Sequence, residues 1–243
     1  MTIDRAERRN ALSLEVWRGI SRRLAEAEAD EAVRVVVLTG AGDKAFCAGG
    51  DLGGMTGGGV LAQHQERAEL GDLFLQMRKS RLPIVARVNG HALAGGFGLM
   101  LACDHVIAVE GAGMGTPEIN LGLWPFMITA VIQRDVPRKY ALELMLTGKR
   151  ITAREALERG IVNRVVAASE LDGAVDRFVE TIASKSPLIT ALGKRSFYEV
   201  EGVPVDQALP YLAGLLTIAL QSEDTVEGVT AFLQKREPHW KGR

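Results

Sequence analysis

A chain of 243 residues that is 47% hydrophobic can bury one large core, or a core with an appendage. Its formal net charge is −1 and its basic residues form no long block, which argues against a nucleic-acid partner. Uncharged stretches are too short or too interrupted to span a bilayer, and the opening MTIDRAERRN lacks the apolar region of a secretory signal. No membrane partner and a cytoplasmic location are therefore expected.

Thr2 and Ile3 look like the end of a strand, followed by a charged turn over 4–9. Ser13 can cap a helix over 14–30, in which Val16, Ile20, Leu24 and Ala27 recur at helical spacing. A strand is expected over 33–39 (VRVVVLT) and a short one over 45–48. The glycines at 53, 54, 57, 58 and 59 suit either a surface loop or a mobile wall over a substrate pocket. A helix over 61–80 leads to the stretch around which the chain is organised, 83–104. Its β-branched run over 84–88 reads as a buried strand closed by an Asn89-Gly90 turn. Gly95, Gly96 and Gly98 stand where the loop becomes a helix, expected over 99–103, and 105–109 reads as the next strand.

Beyond a small-residue loop over 112–116 comes Pro117-Glu118-Ile119-Asn120-Leu121-Gly122. Helices are expected over 126–134, over 138–146 with Gly148 just past the end, and over 153–159 between a Thr152 cap and Gly160. A strand over 161–166 completes an α/β pattern with largely parallel pairing. From 170 onward only helical patterns occur, over 170–184, 188–200, 206–221 and 225–235. The third is apolar almost all round, at Leu209, Leu212, Leu215, Leu216, Ile218 and Ala219, and a subunit interface would cover it. No internal repeat is evident.

The chemistry is expected near the glycines. Gly96-Phe97-Gly98 supplies G-x-G, but Leu101 stands where a dinucleotide fingerprint needs its third glycine, and no phosphate-loop or nucleophile-elbow motif is present. His64, His91, His105 and His239 show no metal spacing, and His91 reads best as a hydrogen-bonded structural histidine. Cys47 and Cys103 are expected as reduced, buried thiols, with a disulfide as the alternative. Two glycine turns, Gly49-Gly50 and Gly95-Gly96, each follow an expected strand. Two such loops at one end of a sheet could each offer an N–H to a single oxygen and so stabilise an enolate formed from a thioester. Glu118 has apolar neighbours in Ile119, Leu121 and Trp124, which would raise its pKa toward neutrality, as proton transfer needs.

Three segments together, Lys44 to Leu52 (KAFCAGGDL), Asn89 to Gly98 (NGHALAGGFG) with Ala102-Cys103-Asp104, and Pro117 to Gly122 (PEINLG), resemble the core motifs of the crotonase, or enoyl-CoA hydratase/isomerase, superfamily. RNAL over 9–12, LTG over 146–148 and GVTAFLQKR over 228–236 also resemble its pattern, so the resemblance covers essentially the whole chain. It implies an α/β spiral of β-β-α units, with an acyl-CoA-binding core over 1–169 and a helical region over 170–243 that builds homotrimers, often paired into homohexamers. It implies an acyl-CoA thioester as substrate, with no metal and no cofactor besides the coenzyme A of the substrate.

The family's oxyanion-hole amides fall on Gly50 and Gly95, and its catalytic carboxylate on Glu118. Arg8 and Arg9 fall along the CoA moiety; Phe232 and Lys235 match positions that approach CoA, often from a neighbouring subunit. Further substrate contacts are implied at Ala48, Gly49, Asp51, Leu52, Gly96, Pro117 and Leu121. Hydratases of the family carry a second glutamate in the helix after the glycine turn, and the matching position here is Gly98. That departure favours double-bond isomerisation by a single base, Glu118, over hydration. A CoA-thioester-binding protein without turnover, and a related acyl-CoA hydrolase or decarboxylase, are the alternatives. The family's opening strand pair is usually longer, so the edge is trimmed here or the start is assigned late.

Overall fold

The computed structural model describes residues 1–51 and 59–243. The expected contact at Leu52 and all of the 53–59 glycine loop but Gly59 lie outside the described residues. The strands are β1 (Thr2–Ile3), β2 (Val36–Gly40), β3 (Ala45–Cys47), β4 (Ile84–Val88), β5 (His91–Leu93), β6 (His105–Val109), β7 (Gly113–Gly115), β8 (Arg150–Thr152) and β9 (Arg164–Val166). The helices of the first half are α1 (Leu14–Ala29), α2 (Val60–Lys79), α3 (Gly95–Leu101) and α4 (Phe126–Asp135). Those that follow are α5 (Arg138–Thr147), α6 (Ala153–Glu158), α7 (Leu171–Ala183), α8 (Pro187–Glu199), α9 (Val205–Leu220) and α10 (Glu223–Gln234).

One sheet has the order β1-β2-β4-β6-β9 and is parallel throughout. The other has the order β3-β5-β7-β8, parallel except for the last pair. The chain places one strand in each sheet and then a helix: β2-β3-α2, then β4-β5-α3, then β6-β7 followed by a 3-10 turn (Pro117–Leu121) and α4. This is the expected spiral of β-β-α units. The repeat is invisible in the sequence because the second strand of each unit has only three residues. β7 reads Gly-Met-Gly and has no strand propensity of its own; its ladder to β5 and β8 holds it extended. Accordingly β5, β7 and β8 are strands that the sequence reading did not expect. Covered on both faces, β4 is nearly all buried, which accounts for its unbroken apolar run.

Each unit turns a sharp corner between its strands, and two buried asparagines hold the first corner. The amide of Asn10 donates to the carbonyls of Ala41 (3.0 Å) and Ala45 (2.7 Å). The amide of Asn89 donates to Gly42 O at 2.7 Å, while its Oδ1 accepts from Gly40 N at 3.1 Å. Gly90 is required by close approach, since a Cβ there would lie 2.5 Å from Lys44 O. The Asn89-Gly90 turn is thus the joint between neighbouring units.

Ser13 caps α1 by accepting from Val16 N, and Thr152 forms a capping box with Glu155 at α6. The helix expected over 99–103 begins four residues earlier, at Gly95, so the glycines lie inside it. Strand-free from 170 onward, the chain still continues the core: α7 packs on β4 and β6, with Leu171, Ala174 and Val175 buried. The ring of His105 stacks on Phe178 of α7 at 3.6 Å. α8 is fastened by Lys194, whose side chain is 7% exposed. Its Nζ donates to the carbonyls of Met77 (3.1 Å) and Leu82 (2.8 Å) and pairs with Asp104 Oδ2 at 2.7 Å. Asp104 also accepts from Tyr198 OH at 2.7 Å. In contrast, α9 buries only Ala208, and Leu209, Leu216, Ile218 and Leu220 are exposed.

Lys194→Met keeps the length of the stem and removes the charge, leaving Asp104 without its cation. Breaking one partner of a buried pair costs about 3–5 kcal/mol, and urea denaturation is expected to register a loss of that order. A loss below about 1 kcal/mol, the level of exposed pairs, would show that the node does not fasten the helical region.

Candidate active site

β3, β5 and β7 lie side by side, all parallel, so the segments that follow them leave the same end of one sheet. Those segments are Ala48-Gly49-Gly50, Ala94-Gly95 and Thr116-Pro117-Glu118. Adjacent strands are about 4.8 Å apart, which brings the three within reach of one small ligand. Sites at the carboxyl ends of parallel strands are the general rule in such sheets.

Gly50 and Gly95 form the centre. Leu12 bridges to Gly50 in parallel fashion: Leu12 N donates to Gly49 O at 2.7 Å, and Leu12 O accepts from Asp51 N at 2.9 Å. This pattern uses the residues on either side of Gly50 and leaves the N–H of Gly50 itself free of the bridge. Gly95 is the first residue of α3, where an N–H has no acceptor within the helix. A Cβ on Gly95 would lie 3.6 Å from Gly50 N, so the two glycines are neighbours across the gap between their loops.

The chain reaches that arrangement by a strained reversal at Ala94, with φ 52° and ψ −129°. A non-glycine residue in such a conformation costs about 1–3 kcal/mol and persists only where its surroundings enforce it. Here Ala94 N donates to Gly115 O at 2.8 Å, and Ala94 O accepts from Phe97 N and Gly98 N. Gly49 (φ 101°) completes the fit, since a Cβ there would lie 2.6 Å from that of Ala94. Gly96 is a glycine for another reason. A Cβ on it would lie 2.7 Å from the Cβ of Cys47, so α3 packs directly on β3 and only the amide of Gly96 is left for a ligand.

Glu118 sits in the 3-10 turn, half-buried, with Gly122 (φ 70°) closing the turn. Its Oε2 is buried and has no hydrogen-bond partner among the described residues, and neither has the buried hydroxyl of Thr116 two residues earlier. Burial pushes the carboxyl pKa up, and a backbone hydrogen bond only partly opposes this. An unpaired buried carboxylate oxygen is unfavourable unless it holds or exchanges a proton. At position 98, where the resemblance leads one to look for a second acid, the glycine is buried and faces Ile128 of α4.

Around this centre the expected contacts divide. Ala48 is half-buried and donates its N–H to Arg9 O at 3.1 Å, tying the N-terminal turn to the site. Asp51 is paired with Arg5 at 2.9 Å; Arg5 also donates to Ala11 O. The motif pattern did not single out Arg5, which clamps the segment after Gly50. Arg8 and Arg9, in the same N-terminal turn, are exposed. Pro117 is half-buried and Leu121 is 63% exposed.

Phe232 (82% exposed) lies on α10, which packs on α9, and Lys235 caps the C-terminus of that helix; both face solvent in the single chain. His91 accepts at Nδ1 from Gly113 N at 2.9 Å, as a structural histidine does, and with Arg9 and Lys44 lines a cleft of about 610 Å³. Cys47 and Cys103 are free and buried, and burial pushes the Cys47 thiol up to about 12. Among the described residues no group of three or more His, Cys, Asp or Glu could hold a metal ion.

The whole chain, residues 1–243, matches the enoyl-CoA hydratase/isomerase family. The rat mitochondrial enoyl-CoA hydratase domain-containing protein 3 is 35% identical over 99% of this chain and 80% of its own length. A carnitinyl-CoA dehydratase from Proteus mirabilis is 36% identical over 88% of this chain and 84% of its own. Among solved structures, an enoyl-CoA hydratase from Bacillus anthracis superposes with a TM-score of 0.95 at 33% identity, covering 100% of this chain and 94% of that one. One from Mycobacterium smegmatis gives 0.94 at 34%, covering 98% and 93%. With the family match spanning its full length and relatives about a third identical over most of both chains, this chain belongs to the enoyl-CoA hydratase/isomerase family.

Proposed function

We propose that Glu118 is the single base and acid of an enzyme that moves a proton between two carbons of an enoyl-CoA thioester, with the amides of Gly50 and Gly95 holding the enolate oxygen. The observation that carries this reading is the buried Oε2 of Glu118, unpartnered among the described residues, at the sheet end that also carries Gly50 and Gly95. The thioester carbonyl would accept from both N–H groups. As a proton leaves C2, negative charge gathers on that oxygen, and each preorganised donor is worth about 3–4 kcal/mol in the transition state. Glu118, its pKa raised by burial, takes the proton and returns it at C4; the double bond moves and every atom of the substrate is kept.

In this reading Arg8 and Arg9 hold the phosphates of CoA. Ala48, Gly49, Asp51, Gly96, Pro117 and Leu121 border the pantetheine and acyl path, and neither metal nor redox cofactor takes part. Phe232 and Lys235 reach CoA from a neighbouring copy in a homotrimer or homohexamer built by the helical region over 170–243, beside the catalytic region over 1–169. We assign the enzyme to the cytoplasm, with neither nucleic acid nor membrane as a partner. Hydration or dehydration is the second reading, favoured by the names of the relatives; an ordered water would then replace the second acid.

Glu118→Gln is expected to slow deuterium exchange at C2 of an acyl-CoA by about 10²–10⁴-fold, the usual weight of general acid–base catalysis. Exchange within about threefold of the unmodified rate would remove Glu118 as the base, since removal of a working base costs far more. Products from cis-3- and trans-2-enoyl-CoA decide between the two readings: isomerisation is expected to exceed hydration, and hydration without isomerisation would defeat the single-base reading.

The same substitution has a stability signature. A carboxyl whose folded pKa is raised above its ordinary 4.5 favours folding below that value and loses the contribution as the pH rises through the raised pKa. Glu118→Gln is therefore expected to melt higher than the unmodified protein at about pH 8, with the gap closing as the pH falls toward the ordinary carboxyl range. A lower melting temperature for the variant at the alkaline end would contradict the burial argument.

An assembled α9 face is expected to show as a trimeric or hexameric mass in light scattering at micromolar concentration. A monomer would leave Leu209, Leu216 and Ile218 in water and remove the assembly from the proposal.

A further inference from the structure

We propose that positions 98 and 128 exclude one another, only one of them being able to carry a β-carbon, and that Ile128 therefore determines that this site works with one carboxylate. The chemical part of this inference rests on the Glu118 reading above; the steric part does not. α3 and α4 are closely packed, and both Gly98 and Ile128 are buried, Ile128 at 2% exposed. A Cβ built on Gly98 would lie 2.5 Å from Ile128 Cβ and closer still to its Cγ2, but 3.6 Å from Ile128 Cα. The last distance is ordinary van der Waals contact. The obstacle is therefore the side chain of Ile128 from its first atom onward, not the backbone of α4. A branched root held in a helix cannot swing aside as the tip of a flexible side chain can. An alanine at 128 would still present the obstructing Cβ; only glycine clears it.

This pairing bears on which reaction the site can run. Water addition to a trans-2-enoyl thioester breaks the C2–C3 π bond and forms a C3–O bond from water and a C2–H bond; one water proton stays on the new hydroxyl, the other passes to a base, and an acid delivers the proton to C2. In the hydratases that the chain resembles, a second glutamate stands at the position of Gly98. Here the first carbon of such a side chain would meet the branched root of Ile128. Ile128 belongs to α4, the helix that follows the Glu118 turn, so apolar volume stands where the second carboxylate would have to pass. Isomerisation needs nothing from this side, because the proton that leaves C2 returns to C4 through Glu118.

The test uses the full chain in five forms: unmodified, Gly98→Glu, Ile128→Gly, the double variant G98E/I128G, and Glu118→Gln as a control. Melting temperature, hydration of trans-2-enoyl-CoA and C2–H exchange are measured on each. Gly98→Glu alone is expected to melt well below the unmodified protein and to gain no hydration. The double variant is expected to melt above Gly98→Glu and to raise the ratio of hydration to isomerisation at least tenfold. Gly98→Glu with an unmodified melting temperature would overturn the exclusion. A folded double variant that hydrates no faster than Ile128→Gly would overturn the role of Ile128 in the reaction.

If the double variant does not fold, Gly98→Ala made with and without Ile128→Gly decides the steric claim. A large melting loss with isoleucine and a small one with glycine supports it; equal losses refute it. C2–H exchange that survives in Glu118→Gln would defeat the Glu118 reading while leaving the coupling between 98 and 128 to stand or fall by the melting data.

Discussion

Two backbone amides can face one oxygen only if the strands that carry them end side by side and neither amide is consumed by the ladder that aligns them. That constraint organises this molecule. The parallel order β3-β5-β7 brings the strand ends together. Leu12 pairs with the residues flanking Gly50 and spares the amide between them, and the reversal at Ala94 turns Gly95 out of the β5 ladder into the first turn of α3. The strain at Ala94 is the local cost of this geometry. The hydrogen bond from Ala94 N to Gly115 O shows what holds it: the strand that precedes Glu118 also fixes the residue that aims Gly95. The proposed donors and the proposed base are thus carried by one ladder and not by independent loops.

The spiral is what makes such a ladder possible. Each unit contributes one longer strand to a buried parallel sheet and one three-residue strand to the sheet that carries the site. The longer strands supply stability through apolar burial, with Leu38, Ile84, Val85, Val88 and Ile107 almost inaccessible. The short strands supply position. Asn10 and Asn89 lock the first corner between the two, so that rigidity in the first sheet is transmitted to the second across only a few residues. A site on short strands can be well placed because it is braced from behind.

The longer strands and nearly all the helices were legible in the sequence, because β-branched runs such as 84–88 and helical spacings such as Val16, Ile20 and Leu24 report burial directly. The three-residue strands were not, because glycine-rich segments such as 113–115 become strands through their neighbours and not through their own propensity. At the candidate site, the two glycine turns were readable from residue type and spacing, and Glu118 was singled out through the resemblance of the PEINLG segment. Arg5 was not, since a single arginine in a charged turn carries no sign that it will pair with Asp51 across 46 positions. Nor was Ala94, because a residue at positive φ is expected to be glycine.

The glycines of α3 show why a run of identical residues does not have one explanation. Gly95 lacks a side chain where the chain faces Gly50 and the site, Gly96 where α3 meets Cys47 of β3, and Gly98 where it meets Ile128 of α4. A seven-residue helix is thereby pressed between a strand on one side and a helix on the other, with its first amide left for a ligand. In the proposed mechanism that compression would serve the chemistry. A helix held on two faces cannot tilt, and an amide that cannot tilt needs no reorganisation when charge develops on the oxygen it faces. The tight packing against Ile128 at position 98 is then not separate from the proposed oxyanion site but one of the contacts that would keep the amide of Gly95 fixed.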